Sequence, residues 1–231
     1  MSSSNKILFL TRSYLPNIGG VEIHIENLCK ELLKSGFDIN ILTERSSLSQ
    51  SETESIQNIH IFRINLPNNS TSKFAIWSYI SSNLNLFLKS DIIHIHDVFF
   101  WILPIIPILK IFKKKIYITF HGYEGSSSPS RKAIFWHRLA SLLTDGNICI
   151  GGFHKKWYGV DADITSFGAS NVEVTTDLSL KKKRSKVRIL FLGRLAEDTG
   201  FLQYLAAIRL IKNKCNIILD VFGDGPHKMV G

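Results

Sequence analysis

Short apolar runs alternate with amphipathic stretches through residue 167. The apolar runs predict buried strands at 6–10, 38–43, 59–64, 91–96, 115–120, 146–150 and 164–167. Helical periodicity lies between them at 21–35, 73–89, 104–112 and 131–143, and Gly36 follows the first of these helices as a helix-ending residue. Strands that alternate with helices in this way are typical of an α/β sheet with helices on both faces.

The pattern starts again after a run of charged residues at 181–186 (KKKRSK). We interpret this run as a solvated linker, with phosphate binding as the alternative. A strand at 187–192, a helix at 201–212 and a strand at 216–222 follow it. One βαβ unit is too small to cover both faces of a parallel sheet. We therefore predict a first domain at 1–180, a linker at 181–186 and an incomplete second domain at 187–231.

The first crossover loop carries two glycine residues at the predicted start of a helix. Gly19 and Gly20 let a ligand approach the backbone closely, and a helix N-terminus favours a phosphate or carboxylate. An ordinary turn is the alternative. The loop lacks the G-x-G-x-x-G spacing, which disfavours a dinucleotide fold of the dehydrogenase type.

Two groups of residues raise the question of a metal site. His94 and His96 alternate onto one face of a predicted strand, next to Asp97. The sequence offers no evident third ligand, and the same run serves equally well as an ordinary strand end. Asp161 and Asp163 form a D-x-D pattern, which we interpret as a turn rather than a cation site. The sequence therefore predicts no metal.

Five motifs together resemble those of GT-B glycosyltransferases of family four. In chain order they are PNIGGVE at 16–22, DIIHIH at 91–96, TFHG at 119–122, GRL at 193–195 and GDGP at 223–226. Each motif is weak alone, but the five occur in the family's order and extend over nearly the whole chain. The resemblance implies two Rossmann-like, doubly wound parallel-sheet domains that face a cleft, with the second domain truncated here.

The resemblance also implies retaining transfer of a sugar from a nucleotide-sugar donor to a glycan or lipid acceptor, in polysaccharide or lipid-glycan biosynthesis. The nucleotide sugar is then a substrate, and neither a cofactor nor a catalytic metal is expected. By resemblance, His121 is the catalytic residue that contacts the transferred sugar. The donor-binding residues are Gly19, Gly20, Arg194, Thr199, Gly223 and Gly225, and the acceptor-binding residues are Glu22, His96 and Asp97.

The chemistry explains why these residue types are expected. The leaving diphosphate gains negative charge in the transition state. Hydrogen-bond donors or positive charges fixed in the protein must therefore stabilise that charge. Arg194 suits this role because its guanidinium is planar and permanently charged. The alternatives are a surface ion pair for Arg194 and a hydrogen-bonded structural role for His121.

The sequence departs from the family pattern at two points. Thr199 stands where family members usually carry a lysine, so one diphosphate-binding cation is replaced by a hydroxyl. The downstream Glu-x7-Glu segment of the family is not found in the 231 residues. The alternative function is therefore a non-catalytic acceptor-binding fragment, or one half of a split glycosyltransferase that acts with a partner chain.

Charge and cysteine content indicate which partners and which cellular compartment to expect. The net charge of +9 and the pI near 9.5 favour anionic ligands, but the basic residues are scattered and predict no nucleic-acid surface. Three separated cysteines fit a reducing compartment, so we expect a cytoplasmic protein. The segment 101–115 is apolar and ends in three lysines, which suggests either a peripheral membrane contact or, as we favour, a helix packed on the sheet.

Overall fold

The computed structural model describes residues 5–47, 49–66, 72–122, 128–166, 187–211, 214 and 216–228. The elements of these residues fall into two compact units: unit 1 between residues 5 and 166, and unit 2 between residues 187 and 228. The predicted linker at 181–186 and the predicted boundary at residue 180 lie outside the described residues.

Unit 1 contains eight strands and six α-helices among its described residues. The strands are β1 (Lys6–Thr11), β2 (Asp38–Glu44), β3 (Thr53–Ile56), β4 (Ile59–Ile64), β5 (Ile92–His96), β6 (Lys115–Phe120), β7 (Gly146–Ile150) and β8 (Ile164–Ser166). The helices are α1 (Gly20–Lys34), α2 (Ser72–Ser82), α3 (Leu84–Leu88), α4 (Ile106–Ile111), α5 (Arg131–Leu143) and α6 (Phe153–Tyr158). Short 3-10 turns at Phe99–Trp101 and Leu103–Ile105 precede α4.

The eight strands form one sheet in the order β3-β4-β2-β1-β5-β6-β7-β8. All neighbouring pairs are parallel except β3 and β4. The chain runs outward from β1 through β2 to β4, then returns to the other side of β1 at β5. The strand order therefore reverses between β1 and β5, and ligands of open α/β sheets bind outside the carboxyl ends of the strands at such a point.

The core lies on both faces of the sheet, as the sequence predicts. In β1, Ile7 and Phe9 pack with Ile25 and Cys29 of α1 on one face. Leu8 packs into the larger cluster on the other face, which also draws on α2 to α5. This two-sided burial explains why the strands appear as continuous apolar runs rather than as an alternating pattern.

Three elements of unit 1 differ from prediction, and one of them is the short helix α6 (Phe153–Tyr158), which was not predicted. The predicted helix at 73–89 is two helices, α2 and α3, because Asn83 between them has φ −112° and ψ 27°, and its side-chain amide donates to the Tyr79 carbonyl at 2.8 Å. The strand β3 was not predicted. It is short and polar, and a two-residue turn of Gln57 and Asn58, both at positive φ, pairs it with β4.

Burial favours the packed interpretation of the segment 101–115. Trp101, Ile102 and Leu109 have no exposed surface and belong to the larger core cluster. Of the large hydrophobic side chains in this segment, only Ile111 and Phe112, at the end of α4, are largely exposed. Within the described residues, no helix combines the length and apolar character needed to cross a bilayer.

Unit 2 contains the strands β9 (Val187–Leu192) and β10 (Ile217–Phe222), which are parallel, and the helix α7 (Phe201–Ile211). The Phe191 ring lies 5.0 Å from the Phe201 ring and 5.1 Å from the Tyr204 ring, so α7 covers one face of this pair of strands. The other face carries apolar side chains that are exposed: Leu190, Leu192, Ile218 and Phe222. The described part of unit 2 is thus the single βαβ unit that the sequence predicts.

The core of unit 1 also contains a stack of aromatic rings, two of which are histidines. The His137 ring lies 3.9 Å from the Tyr158 ring, and His154 lies 5.4 Å from Phe120 and 5.5 Å from Tyr158. His154 is 1% exposed, and neither of its ring nitrogens has a hydrogen-bond partner among the described residues. Burial lowers the pKa of His137 to about 4 and also lowers the pKa of His154, so both rings are neutral at neutral pH.

This stack predicts a loss of stability in acid. The pKa of His137 in the folded chain lies below its unfolded value of 6.5. The stability that its neutral ring contributes is therefore complete above pH 6.5 and is lost as the pH falls toward about 4. We expect His137 and His154 to account for a loss on the order of 1–3 kcal/mol in the free energy of unfolding over that range. Urea unfolding at several pH values measures it. The variant H137F/H154F keeps the rings and should show a shallower slope; an unchanged slope would contradict the assignment.

Candidate functional site

The point where the strand order reverses gathers the predicted site residues of unit 1. The loop after β1 leads to Gly19 and Gly20, Asp97 follows β5, and His121 follows β6. The carboxyl ends of these parallel strands lie at one edge of the sheet, so residues far apart in sequence become neighbours.

Three histidines from three elements form the centre of this site. His24 lies on α1, His96 is the last residue of β5, and His121 follows β6. Nδ1 of His96 and Nε2 of His121 are 2.7 Å apart, within hydrogen-bond distance. The His24 ring lies 5.1 Å from the His121 ring and 6.0 Å from the His96 ring.

The histidines of this site are held in the neutral form. Burial, with a smaller effect of the nearby His24 and His154, lowers the pKa of His121 to about 4. Burial also lowers the pKa of His94 to about 3 and holds that of His96 well below its usual value. At neutral pH these rings therefore exchange hydrogen bonds without carrying charge, as between His94 Nε2 and the Thr119 hydroxyl at 2.8 Å.

His96 is buried in this structure. Only 1% of its surface is exposed, and it stacks on His94 with ring centroids 4.6 Å apart. Its hydrogen bond with His121 helps to orient that ring, and its contact with an acceptor stays a prediction.

Asp97 is exposed and has a left-handed backbone with φ 58°. Non-glycine residues seldom adopt this conformation, and those that do cluster at functional sites. Its two carboxylate oxygens each lie 3.3 Å from the His121 backbone nitrogen and accept from that N–H. Asp97 therefore fixes the turn that presents His121.

The loop from Arg12 to Gly19 is held at its base by a buried charge. Arg63 of β4 is 2% exposed, and its guanidinium donates to the Leu15 carbonyl at 2.8 Å and to the Ser51 carbonyl at 3.3 Å. It also forms an ion pair with Glu54. Together with the burial of Tyr14, this anchor fixes the loop that leads to Gly19 and Gly20.

The two glycines at the start of α1 differ in their surroundings. A Cβ at Gly19 would meet the Glu22 carboxylate, which turns back toward the first turn of its own helix. A Cβ at Gly20 would meet nothing within 4 Å, so this backbone faces open space. Gly20 is thus accessible to a ligand, whereas the contact of Glu22 with an acceptor stays a prediction.

A cavity of about 860 Å³ opens in unit 1 beside these residues. Its charged lining consists of Arg12, Glu44, Arg45, Lys73, Asp97 and Lys132, and its aromatic lining includes Trp77, Phe100 and Trp136. Cations outnumber carboxylates four to two, while Glu44 pairs with Arg12 at 3.9 Å. A cavity with basic groups and flat rings suits an anionic ligand that carries a sugar or another apolar face.

In unit 2, the predicted donor-binding glycines have close backbone neighbours. A Cβ at Gly223 would lie 1.8 Å from the Gly193 carbonyl oxygen, and one at Gly225 would lie 2.6 Å from the Leu195 carbonyl oxygen. Two backbone segments cross here, after β9 and after β10. This crossing requires glycine whether or not a ligand binds.

The hydroxyl of Thr199 is engaged within its own loop. It lies 2.7 Å from the Arg194 carbonyl oxygen and 2.8 Å from the Ala196 carbonyl oxygen, so its one hydrogen is donated to the backbone. In this conformation Thr199 cannot donate to a diphosphate as well. Arg194 is exposed, and the contact of both residues with the donor stays a prediction.

The D-x-D pattern is accounted for by local contacts. The Asp163 carboxylate accepts from the Asn147 backbone N–H at 2.7 Å, and Asp161 forms an exposed ion pair with Lys155 at 2.7 Å. Residues 161–163 lie just before β8, and the interpretation of this segment as a turn stays a prediction.

Sequence reasoning missed two residues of the site, His24 and Arg63. Nothing in the periodicity of α1 indicates that His24 faces two histidines from other elements, because those contacts depend on the order of the strands. Arg63 was missed because it lies within a strand that is otherwise largely apolar. A charged residue inside such a run is a signal, since a buried charge needs partners.

The comparisons with known proteins agree with this architecture. The sequence model of Glycosyltransferase Family 4 matches residues 18–163, more than half of the chain. A comparison with curated protein sequences gave no significant match.

Similar solved structures include a sucrose-phosphate synthase from Thermosynechococcus elongatus, with 12% identity, a TM-score of 0.70 and coverage of 95% of this chain and 62% of that chain. The apo form of the lipopolysaccharide outer core galactosyltransferase WaaB has 16% identity, a TM-score of 0.63 and coverage of 97% and 62%. Anabaena HepE in complex with UDP and glucose has 13% identity, a TM-score of 0.58 and coverage of 94% and 69%. These likenesses show a GT-B fold, and the chain spans 62% of the length of the first two.

Proposed function

The chain belongs to Glycosyltransferase Family 4, and from that premise we propose that it is a retaining glycosyltransferase. The proposed reaction transfers a sugar from a nucleotide-sugar donor to a glycan or lipid acceptor. The observation that carries the proposal is the convergence of Gly20, Asp97 and His121 where the strand order reverses. No cofactor or catalytic metal is part of the proposal.

The donor side of the proposal rests on charge. The N-terminus of α1 begins at the open backbone of Gly20, and its partial positive charge favours a diphosphate. Arg194 of unit 2 supplies a permanent positive charge for the leaving group. His121 is neutral and therefore suits a hydroxyl of the transferred sugar as a hydrogen-bond partner.

The acceptor side rests on the cavity in unit 1. Its excess of cations favours an acceptor with a phosphate or carboxylate, and Trp77 and Trp136 offer flat faces for a sugar ring or a lipid chain. Asp97 lines the same cavity, so the acceptor and the turn that carries His121 would be in contact. Polysaccharide or lipid-glycan biosynthesis is the process that this chemistry suits.

We further propose a cytoplasmic location with contact at the membrane surface. Ile111 and Phe112 are exposed next to Lys110, Lys113 and Lys114, a combination that favours an anionic lipid face. Nucleic acid is not among the proposed partners.

The first experiment is calorimetry of the purified chain with UDP-sugars and GDP-sugars. We expect one donor class to bind, and Arg194→Ala to weaken that binding about tenfold or more, since a charged hydrogen bond to phosphate is lost. Arg188→Ala is the matched control, because Arg188 is also an arginine of unit 2, it is not among the proposed donor-binding residues, and its guanidinium is held by Asp220. That variant should bind like the wild type.

The alternative function is an acceptor-binding module that acts with a partner chain. The observation behind it is the cavity proposed for the acceptor, whose lining residues all belong to unit 1. Failure of every donor to bind would sink the proposal of an enzyme that acts alone and would support this alternative. Binding that Arg194→Ala leaves unchanged would remove Arg194 from the donor site.

A further inference from the structure

The three histidines at the end of β5 and β6 have the arrangement of a metal site. One ring nitrogen from each of His24, His96 and His121 lies within 4.8 Å of the corresponding nitrogen of the other two. In a tetrahedral zinc site with Zn–N distances near 2.0–2.1 Å, ligand nitrogens are separated by about 3.4 Å. Rotation of the half-buried rings of His24 and His121 would bring the ligand nitrogens from their present separations of up to 4.8 Å to about 3.4 Å.

The histidine site also has unmet hydrogen-bonding capacity. Among the described residues, His24 has ring contacts with His96 and His121, and no hydrogen bond of its ring is found. Nε2 of His96 is buried without a partner. Two neutral imidazoles 2.7 Å apart share one proton: one ring donates its N–H and the other accepts with its lone pair. A cation that replaces this hydrogen bond can use both facing nitrogens once that proton has moved.

The ligand chemistry selects the kind of ion. Three imidazoles suit zinc and its neighbours Co²⁺, Ni²⁺ and Cu²⁺, whereas Mg²⁺ and Ca²⁺ prefer oxygen ligands. Three protein ligands leave a fourth position for water or another small ligand. Neutral rings bind such an ion without first having to lose a charge.

We propose that His24, His96 and His121 bind one Zn²⁺ ion. On binding, the proton that His96 and His121 share moves to the far nitrogen of one ring, so that three lone pairs meet the ion and no net proton is released. His24 and His121 supply the accessible side of the site, and His96 supplies its base.

This site has a consequence that rests on the proposed function. If His121 contacts the transferred sugar, Zn²⁺ competes with the donor for the same ring. The ion would then inhibit the chain rather than assist it. Zinc binding itself requires no sugar substrate, so it is tested separately from activity.

The test is calorimetric titration of the metal-free chain with Zn²⁺ alone. We expect one ion per chain, and at least about tenfold weaker binding in His24→Gln and in His121→Gln, since one of three ligands is lost. His60→Gln is the matched control: His60 is exposed on β4, with Nδ1 2.6 Å from the Ser55 hydroxyl. That variant should bind zinc like the wild type.

Co²⁺ provides a second readout, because a tetrahedral site gives it a strong visible absorption that a loosely bound surface ion lacks. We expect this absorption in the wild type and in His60→Gln but not in His24→Gln. Urea midpoints check that each variant is folded. Absence of saturable zinc binding in the wild type would overturn the proposal. Zinc binding as tight in His24→Gln and His121→Gln as in the wild type would overturn it too.

Discussion

Replacing Arg63 with alanine is expected to lower the free energy of unfolding of unit 1 by about 3–5 kcal/mol, the usual cost of removing one partner from a buried ion pair. Arg63 is 2% exposed and serves three acceptors: Glu54, the Leu15 carbonyl and the Ser51 carbonyl. Alanine leaves all three without this donor and opens a void in β4. Because Leu15 belongs to the loop that leads to Gly20, the same change should release the start of α1.

Tryptophan fluorescence during urea unfolding measures this effect cleanly. All four tryptophans, Trp77, Trp101, Trp136 and Trp157, lie in unit 1, so their emission follows unit 1 alone. Lys34→Ala removes an exposed ion pair with Glu31 and should change little. The double variant R63M/E54Q removes both charges and should cost less than Arg63→Ala. A cost below about 1 kcal/mol for Arg63→Ala would contradict the anchoring role.

Replacing Gly223 with alanine is expected to destabilise unit 2 by about 3 kcal/mol or more, the combined scale of overpacking and backbone strain. A Cβ there would lie 1.8 Å from the Gly193 carbonyl oxygen, and Gly223 has φ 156°. Both obstacles are backbone, so no side chain can move aside to make room. The crossing of the two segments would have to open, and with it the pairing of β9 and β10.

Hydrogen exchange of the β9 and β10 amides reports this change, since unit 2 has no tryptophan. We expect faster exchange in Gly223→Ala, with unit 1 unchanged. Gly20→Ala is the contrasting variant, because a Cβ at Gly20 meets nothing within 4 Å. It should leave stability unchanged and weaken nucleotide-sugar binding if the proposed donor contact exists. Exchange as slow in Gly223→Ala as in the wild type would contradict the claim that the crossing requires glycine at this position.

The sequence predicted the positions of most strands along the chain because most of them are apolar runs. It failed where contacts made elsewhere decide the outcome. The strand β3 is stabilised by pairing with β4 at the sheet edge, and its residues TESI have no apolar pattern of their own. The break between α2 and α3 depends on one asparagine side chain. Such effects are local and weak, and periodicity does not detect them.

The sequence indicated which strand ends carry the candidate site, but not how its side chains are buried or which of them are neighbours. The motifs led to Asp97 and His121, which the structure brings together at the carboxyl ends of neighbouring strands. The depth of His96 could not be inferred, because burial depends on what packs over the strand. For the same reason the sequence offered no further histidine as a partner for His96: His24, a ligand of the proposed zinc site, comes from α1, and only the fold brings it near.

The exposed apolar face of β9 and β10 has a consequence for producing these 231 residues by themselves. Leu192 is 77% exposed and Phe222 60% exposed, on a pair of parallel strands of the kind that other proteins cover on both sides. A surface like this invites self-association at high concentration, and chaperones that bind apolar segments compete for it. The yield of folded chain should therefore depend on synthesis rate and chaperone supply as much as on the stability of unit 1.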